Sequence, residues 1–264
     1  MFDIAALEAE LAGTLFAGKL HFSRVTGSTN SDAVAAARLG APHGSVYFSD
    51  EQQSGRGRGN HSWISAAGEG LYVSVLLRPQ FPAARVAFLP LTAGLAAADA
   101  IRAVSGLAVD LRWPNDLLIG PRKTGGILVE ANIDSKGLPH AVVLGIGINV
   151  HQRTFPPDLA TSATSLDLET NRHIARQDLL VALLKSLELE TLALAHSDAA
   201  KEVAARVEKA STWIRGRRVE VHGPQACCGV TAGLDENGFL RVATAAGLVT
   251  VQTGGLREKP TGSS

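Results

Sequence analysis

The order of segments along the chain predicts an α+β fold, with a mixed β-sheet flanked by helices and a small β-barrel at the C-terminal end. Three observations predict it. Short β-like runs alternate with helical ones up to about residue 150, a long helical stretch follows a proline-bearing loop, and from Trp213 onward short alternating strands take over. The division implied is a large domain over residues 1–212 and a small one over 213–264.

Each element has a local reason. In "MFDIAALEAELAG", Ile4, Leu7 and Leu11 are spaced like one helical face, and acids stand where a secretion signal needs bases. "STN" at 28–30 precedes "SDAVAAARLG" and reads as a helix N-cap, with Gly40 closing the helix. "GSVYFS" and "LYVSVLL" are strands. "PLTAGLAAADAIRAV" then places Leu91, Leu95, Ala98 and Ile101 or Arg102 at a period near 3.6, with Pro90 in the first turn, so a helix covers one face of the sheet. "VDLRW", "GILVEANI" and "AVVLGIGIN" complete the sheet. After "RTFPPDLATSATS" comes a helix rich in Leu, Ala and Glu, from about Arg176 to Lys209. "RRVEVH", "GVTAGL", "GFLRVA" and "LVTVQ", with turn signals at "DENG" and "AAG", make the barrel; the tail "REKPTGSS" is expected to fray.

Composition excludes several classes. With 264 residues, 45% hydrophobic and 19% charged, the chain can bury a full core. Its 25 basic and 25 acidic side chains argue against affinity won by neutralising many phosphates, so any anion site must be local. Adjacent cysteines, Cys227 and Cys228, suit a reducing compartment, and no uncharged run reaches the ~18 to 20 residues that span a bilayer. The expectation is a soluble, cytoplasmic protein. The eight histidines show no metal-ligand spacing, and no metal ligand is assigned to protein side chains.

Five segments spend glycine or polar residues in ways a plain core would not: "STN" at 28–30, "GRGR" at 55–58, "WPND" at 113–116, "KTGGIL" at 123–128 and "GIGIN" at 145–149. Each is ambiguous by itself. "STN" can cap a helix or hold a polar ligand head. "GRGR" can be a surface turn or can wrap a phosphate, although it lacks the lysine and hydroxyl of a P-loop. Lys123 follows a Gly120-Pro121 turn and precedes Gly125 and Gly126, which clear side chains from one spot; it is either a solvated hairpin end or a cation beside an open backbone. Asp116, seven residues earlier, can converge with it across that hairpin. In "GIGIN" both glycines fall on one strand face, leaving either a groove or a site of close packing, and Asn149 either ends the strand or serves the site.

In this order and spacing the five segments resemble the biotin protein ligase family, from Ser28 to the terminal barrel, in the short form without an N-terminal DNA-binding domain. The family's loop, G-R-G-R-x-G-R-x-W, and its K-x-G-G-I-L motif stand here as "GRGRGNHSW" and "KTGGIL". The resemblance implies a class II synthetase-like catalytic domain of the biotin/lipoate ligase type and an SH3-like C-terminal barrel. It also implies a reaction: biotin and ATP, with Mg²⁺ carried mainly by the nucleotide, give biotinyl-5′-AMP, which acylates a lysine of a biotin carboxyl carrier protein. No specific nucleic acid and no membrane are expected as partners, because too few residues precede Ser28 for a DNA-binding module; a homodimer is left open.

The residue roles follow the same resemblance. Ser28, Thr29, Asn30, Gln52, Gly55, Arg56, Gly57, Arg58, Lys123, Gly125 and Gly126 would surround biotin. Arg56, Arg58, Trp63, Asn115, Lys123 and Asn149 would contact the nucleotide. Lys123, Arg58 and Asp116 would serve catalysis: the cations offset charge growing on the phosphate, and Asp116 orients or deprotonates the incoming carrier lysine. One departure stands out. Asn60 and His61 occupy positions where the family often has glycine and arginine, so a third guanidinium is missing and retention of the adenylate is expected to weaken. Two alternatives stay open: a lipoate ligase or octanoyltransferase of the related fold, and a non-enzymatic biotin-binding protein.

Overall fold

Two β-sheets organise the chain. The computed structural model describes residues 2–59, 61–81, 83–133, 139–196 and 198–259. The expectations for Asn60 and for residues 260–264 therefore lie outside the described residues, whereas Arg257 and Glu258, expected to fray, are held in a strand by pairing with Glu220 and Val219. The first sheet contains β1 (Leu20–Thr26), β2 (Ser45–Gln52), β3 (Gly70–Leu77), β4 (Asp110–Arg112), β5 (Asp116–Ile119), β6 (Arg122–Ile133) and β7 (Pro139–Asn149). Their order is β1-β2-β3-β7-β6-β5-β4, and only the β1–β2 pair is parallel, so the sheet is mixed as expected. The second sheet, β8 (Arg215–His222), β9 (Cys227–Leu234), β10 (Leu240–Thr244), β11 (Gly247–Val251) and β12 (Gly255–Glu258), is antiparallel in the order β11-β10-β9-β8-β12.

The helices are α1 (Ile4–Glu10), α2 (Thr29–Arg38), α3 (Leu89–Ser105, entered through a 3₁₀ turn at Ala83–Phe88), α4 (Leu166–Thr170), α5 (Arg176–Ala193) and α6 (Ala199–Ala210). Pro90 sits in the first turn of α3, where no intrahelical N–H is needed, and Gly106 ends it in the left-handed region at φ 79°. α3 packs on α5 on one side and on β4 to β7 on the other. Ala83–Ser105 is long and apolar enough to cross a membrane, and the fold instead buries most of it in the core. The helical stretch expected from Arg176 to Lys209 is two helices, with Asp198 at the N-cap position of the second.

β1 is an edge strand with no fully buried residue, and its sequence lacks the alternation by which strands are recognised. The core is shared by both sheets: one contiguous cluster runs from Phe2, Phe48 and Val73 through Leu95 and Leu184 to Val219, Leu240 and Leu256. Burying each such side chain stabilises the fold by about 1.5–3 kcal/mol. Trp113, 3% exposed, seals the junction by donating its indole N–H to the Gly238 carbonyl at 3.2 Å.

Candidate active site

A cleft of about 660 Å³ opens on the β6–β7 face of the large sheet. The loop after β2, the segment from Gln152 to Ala163 and the ends of β8 and β12 wall it in. The floor is set by glycine. A Cβ on Gly145 would stand 2.0 Å from Asn30 Oδ1, and one on Gly147 would stand 2.7 Å from the Trp63 indole. Both glycines of "GIGIN" thus face the cleft, and the groove they leave seats Asn30 and Trp63. The Trp63 Nε1 is buried without a hydrogen-bond partner.

One end of the cleft is lined by the polar side chains Ser28, Thr29, Asn30 and Gln52, with the Arg56–Glu130 ion pair beside Asn30. Ser28 takes the N-cap position of α2, but its side chain makes no capping hydrogen bond, so the hydroxyl is not committed to the helix. The Thr29 N–H and hydroxyl both donate to Gln52 Oε1, at 2.9 and 3.1 Å, and Gln52 Nε2 donates to Ser65 Oγ at 2.8 Å. Ser74 Oγ donates to Asn30 Oδ1 at 2.6 Å, and Asn30 Nδ2 donates to Glu130 at 2.8 Å. This largely buried network links six side chains and holds Thr29, Asn30 and Gln52 in one orientation each, which is what recognition of a polar ring system requires.

The other end is cationic. Arg58, Arg112, Lys123 and Arg257 line the cleft there against one lining carboxylate among the described residues, Asp116, in a chain of zero net charge. Lys123 Nζ lies 2.5 Å from Asp116 Oδ1 and 5.6 Å from the centre of the Trp63 ring. A β-bulge makes this pair possible. Leu117 pairs with Gly125 but Leu118 pairs with Lys123, so Thr124 is an extra residue in β6. In a regular strand Lys123 and Gly126 would face opposite sides; with the extra residue they share one, and a Cβ on Gly126 would lie 3.5 Å from Lys123 Nζ.

Arg112 donates to Asp116 Oδ2 through Nε at 3.0 Å and through its terminal nitrogen at 2.6 Å, and also to Thr161 Oγ1 at 2.9 Å. Burial by itself would raise the Asp116 carboxyl, but the Lys123 ammonium and the Arg112 guanidinium outweigh it and hold the group below the ordinary carboxylate value. Arg58 donates to the Gly254 carbonyl at 3.0 Å, to Thr253 Oγ1 at 2.9 Å and to Asn115 Oδ1 at 3.4 Å, tying the loop to the second sheet. Burial pushes its guanidinium down, partly offset by Asp116. Arg56, more exposed, donates to Glu130 at 2.9 Å and to Ser31 Oγ at 3.3 Å.

The loop itself is a short hairpin. Trp63 N–H donates to the Gly55 carbonyl at 2.9 Å and Gly57 N–H to the His61 carbonyl at 2.8 Å. Gly55 is required by packing, since a Cβ there would stand 2.4 Å from the Trp63 carbonyl oxygen. Among the sequence-predicted residues, Gly55 and Gly125 do not line the cleft; Gly125 packs against Leu117 and the Gly147 carbonyl. Ser28, Thr29, Asn30, Gln52, Arg56, Gly57, Arg58, Trp63, Asn115, Asp116, Lys123, Gly126 and Asn149 all do. Asn115 and Asn149 also brace the backbone, donating to the Ile127 and Thr164 carbonyls at 2.8 and 3.0 Å. His61 is exposed at the rim.

Sequence reasoning passed over Arg112, Glu130, Ser74 and the Thr253-Gly254 turn. The "R" of "LRWPND" was the available signal for Arg112, since residues i and i+4 here flank a tight turn. Outside the cleft the fold also gathers His151, Asp167 and His173, whose separation in sequence hides them from spacing rules.

The comparisons with known proteins agree with this geometry. Residues 22–149 match the Biotin/lipoate A/B protein ligase family. The chain is 35% identical over 241 residues to the biotin–[acetyl-CoA-carboxylase] ligase of Mycobacterium tuberculosis, a match covering 87% of this chain and 85% of the relative. It is 37% identical over 171 residues to the bifunctional ligase/repressor BirA of Bacillus spizizenii, covering 64% of this chain, and it spans about half (52%) of that relative's length. The biotin protein ligase of Aquifex aeolicus, solved in complex with biotin and ATP, superposes with a TM-score of 0.79 at 28% identity, covering 92% of this chain and 100% of that one.

Proposed function

Since this chain belongs to the biotin protein ligase family, we propose that it activates biotin with ATP and transfers it to a lysine of a biotin carboxyl carrier protein. The observation that carries this reading is the division of one cleft into a fixed, hydrogen-bonded polar end and a cationic end built around Lys123, in a protein with no net charge. Biotin's ureido ring would take the Ser28, Thr29 and Gln52 end, and its carboxylate would point toward Lys123.

A carboxylate oxygen then attacks the α-phosphorus, the bond to the pyrophosphate oxygen breaks, and pyrophosphate leaves with the electron pair. Negative charge accumulates as it does so. Lys123, Arg56 and Arg58 would offset that charge, and removing one such donor typically costs on the order of 10² to 10³ in rate. In the second step the carrier lysine's amine attacks the acyl carbon and AMP leaves. Asp116, held ionised by two cations, is a weak base, so we assign it the positioning of Lys123 rather than proton abstraction. The cleft offers no carboxylate free for a divalent cation among the described residues, because Asp116 is saturated by Arg112 and Lys123. Mg²⁺ would accordingly arrive on the nucleotide's phosphates.

We further assign the five-stranded C-terminal sheet to an SH3-like barrel over residues 213–264, on the support of five short strands that bury one face. The test of the main reading is pyrophosphate release in the presence of ATP with biotin or lipoate, followed by transfer of labelled biotin to a carrier domain. Release with biotin alone, followed by labelling, is expected. Release with lipoate alone would reassign the chain within its fold, and no release with either would remove the enzymatic reading.

A further inference from the structure

We propose that His151, Asp167 and His173 form a binding site for one divalent transition-metal ion, with Zn²⁺ the best chemical match. The site is independent of the ligase reading, since none of the three residues lines the cleft. Two imidazoles and one carboxylate converge so that their ligand atoms all lie within 4.8 Å of one another. His151 Nδ1 is 2.8 Å and His173 Nδ1 is 3.4 Å from the same oxygen, Asp167 Oδ2. Ligand bonds of about 2.0–2.1 Å at tetrahedral angles put neighbouring ligand atoms ~3.3 Å apart, so two of the three edges are already close to those of a bound ion.

The backbone holds this arrangement ready. His151 N–H donates to the Glu69 carbonyl at 2.7 Å and Asp167 N–H to the Val150 carbonyl at 2.9 Å, while Asp167 Oδ1 accepts from Ile174 N–H at 2.9 Å. That last bond leaves Oδ2 alone to face the rings. The imidazoles stack at 4.3 Å with 13° between their planes, so their in-plane lone pairs run nearly parallel, and the exposed His173 ring would turn about its side-chain bonds to meet the same ion as His151. In the absence of metal, N–H tautomers at both rings satisfy Asp167; an ion would displace those protons. Exposure follows the same logic. The Asp167 and His151 side chains are 9% and 17% exposed and form a fixed base, whereas His173 is 79% exposed and leaves a path for the ion and room for a water as fourth ligand. Two nitrogens and one oxygen favour Zn²⁺ or Co²⁺ over Mg²⁺ or Ca²⁺, which prefer oxygen sets.

The position gives the site a consequence. It joins the end of β7 to α4 and so closes the base of the segment from Gln152 to Thr164, which runs along Lys123: Lys123 N–H donates to the Ser162 carbonyl and Thr164 N–H to the Lys123 carbonyl, at 2.8 and 2.9 Å. A bound ion would fasten that segment where it leaves and re-enters the core.

The experiment titrates CoCl₂ into the full chain carrying Cys227→Ser and Cys228→Ser, so that the thiols contribute nothing, and reads visible absorption and calorimetric heat. One equivalent of Co²⁺ with tetrahedral-type bands, displaced by ZnCl₂ and not by excess MgCl₂, is expected. His173→Ala, at an exposed position that leaves folding intact, should weaken binding at least tenfold. His173→Cys should retain binding and add a thiolate-to-cobalt charge-transfer band. Lack of stoichiometric binding, equal affinity in the His173→Ala protein, or no new band in the cysteine variant would each overturn the proposal.

Discussion

Replacing Asp116 by asparagine tests the cationic end of the cleft most directly. The carboxylate accepts from Arg112 at 3.0 and 2.6 Å and pairs with Lys123 at 2.5 Å, and the Arg112 side chain is only 9% exposed. Removing one partner of a buried ion pair costs about 3–5 kcal/mol, because the remaining charge is left without compensation. Here Lys123 is 27% exposed and the amide oxygen of asparagine still accepts from Arg112, so a cost below that range, about 2–3 kcal/mol, is expected. For a chain of this size that corresponds to a fall in Tm of roughly 4–12 °C. The sign with pH follows from the depressed carboxyl. Its stabilisation is complete above the unfolded value of about 3.9 and is lost as pH falls through the lower folded value. The gap between parent and variant should therefore be full at pH 7 and narrow below pH 4. Urea denaturation at both pH values, with pyrophosphate release at pH 7, makes the measurement. Equal denaturation midpoints at pH 7, or a gap that persists undiminished at pH 3, would show that the ion pairs do not stabilise the fold.

Three further outcomes are expected. Lys123→Ala should reduce pyrophosphate release by on the order of 10² or more while calorimetry still detects biotin binding, because the ammonium acts where charge develops and the ring contacts lie elsewhere; unchanged release would remove Lys123 from the chemistry. Arg58→Ala should loosen the loop from Thr253 and Gly254 and weaken retention of both biotin and the adenylate, read as faster release of radiolabelled ligand from preloaded protein; equal release rates would show that the tie plays no part. Gly145→Ala should displace Asn30, whose Oδ1 lies 2.0 Å from the new methyl, costing about 1–3 kcal/mol and weakening biotin binding; a denaturation midpoint and biotin affinity both equal to the parent's would refute the fit described for the groove.

Much of the site was legible because it is carried by short, strongly patterned segments. The "GIGIN" alternation put Gly145 and Gly147 on one face from periodicity alone, and the Gly120-Pro121 turn made the Asp116–Lys123 approach foreseeable. Glu130 was not foreseeable, since it gains its role from partners, Arg56 and Asn30, that are far away in sequence. β1 escaped because an edge strand need not alternate, and β5 because four residues carry too little pattern. The break between α5 and α6 was hidden by a composition that stays helix-favouring on both sides of it.

The bulge at Thr124 makes the chemistry depend on counting as well as on identity. Pleated strands have parity: if all four residues from Lys123 to Gly126 were kept but paired without the bulge, the regular alternation would turn the ammonium to the face opposite Asp116. Every side chain named in the motif would still be present, and the cleft would have lost its central cation. Deleting Thr124 would leave Lys123 two residues from Gly126 and so on the same face, whereas straightening the strand with Thr124 still in it would not. The same arithmetic applies to grafting: "KTGGIL" placed on an unbulged hairpin would carry the right letters on the wrong side of the sheet.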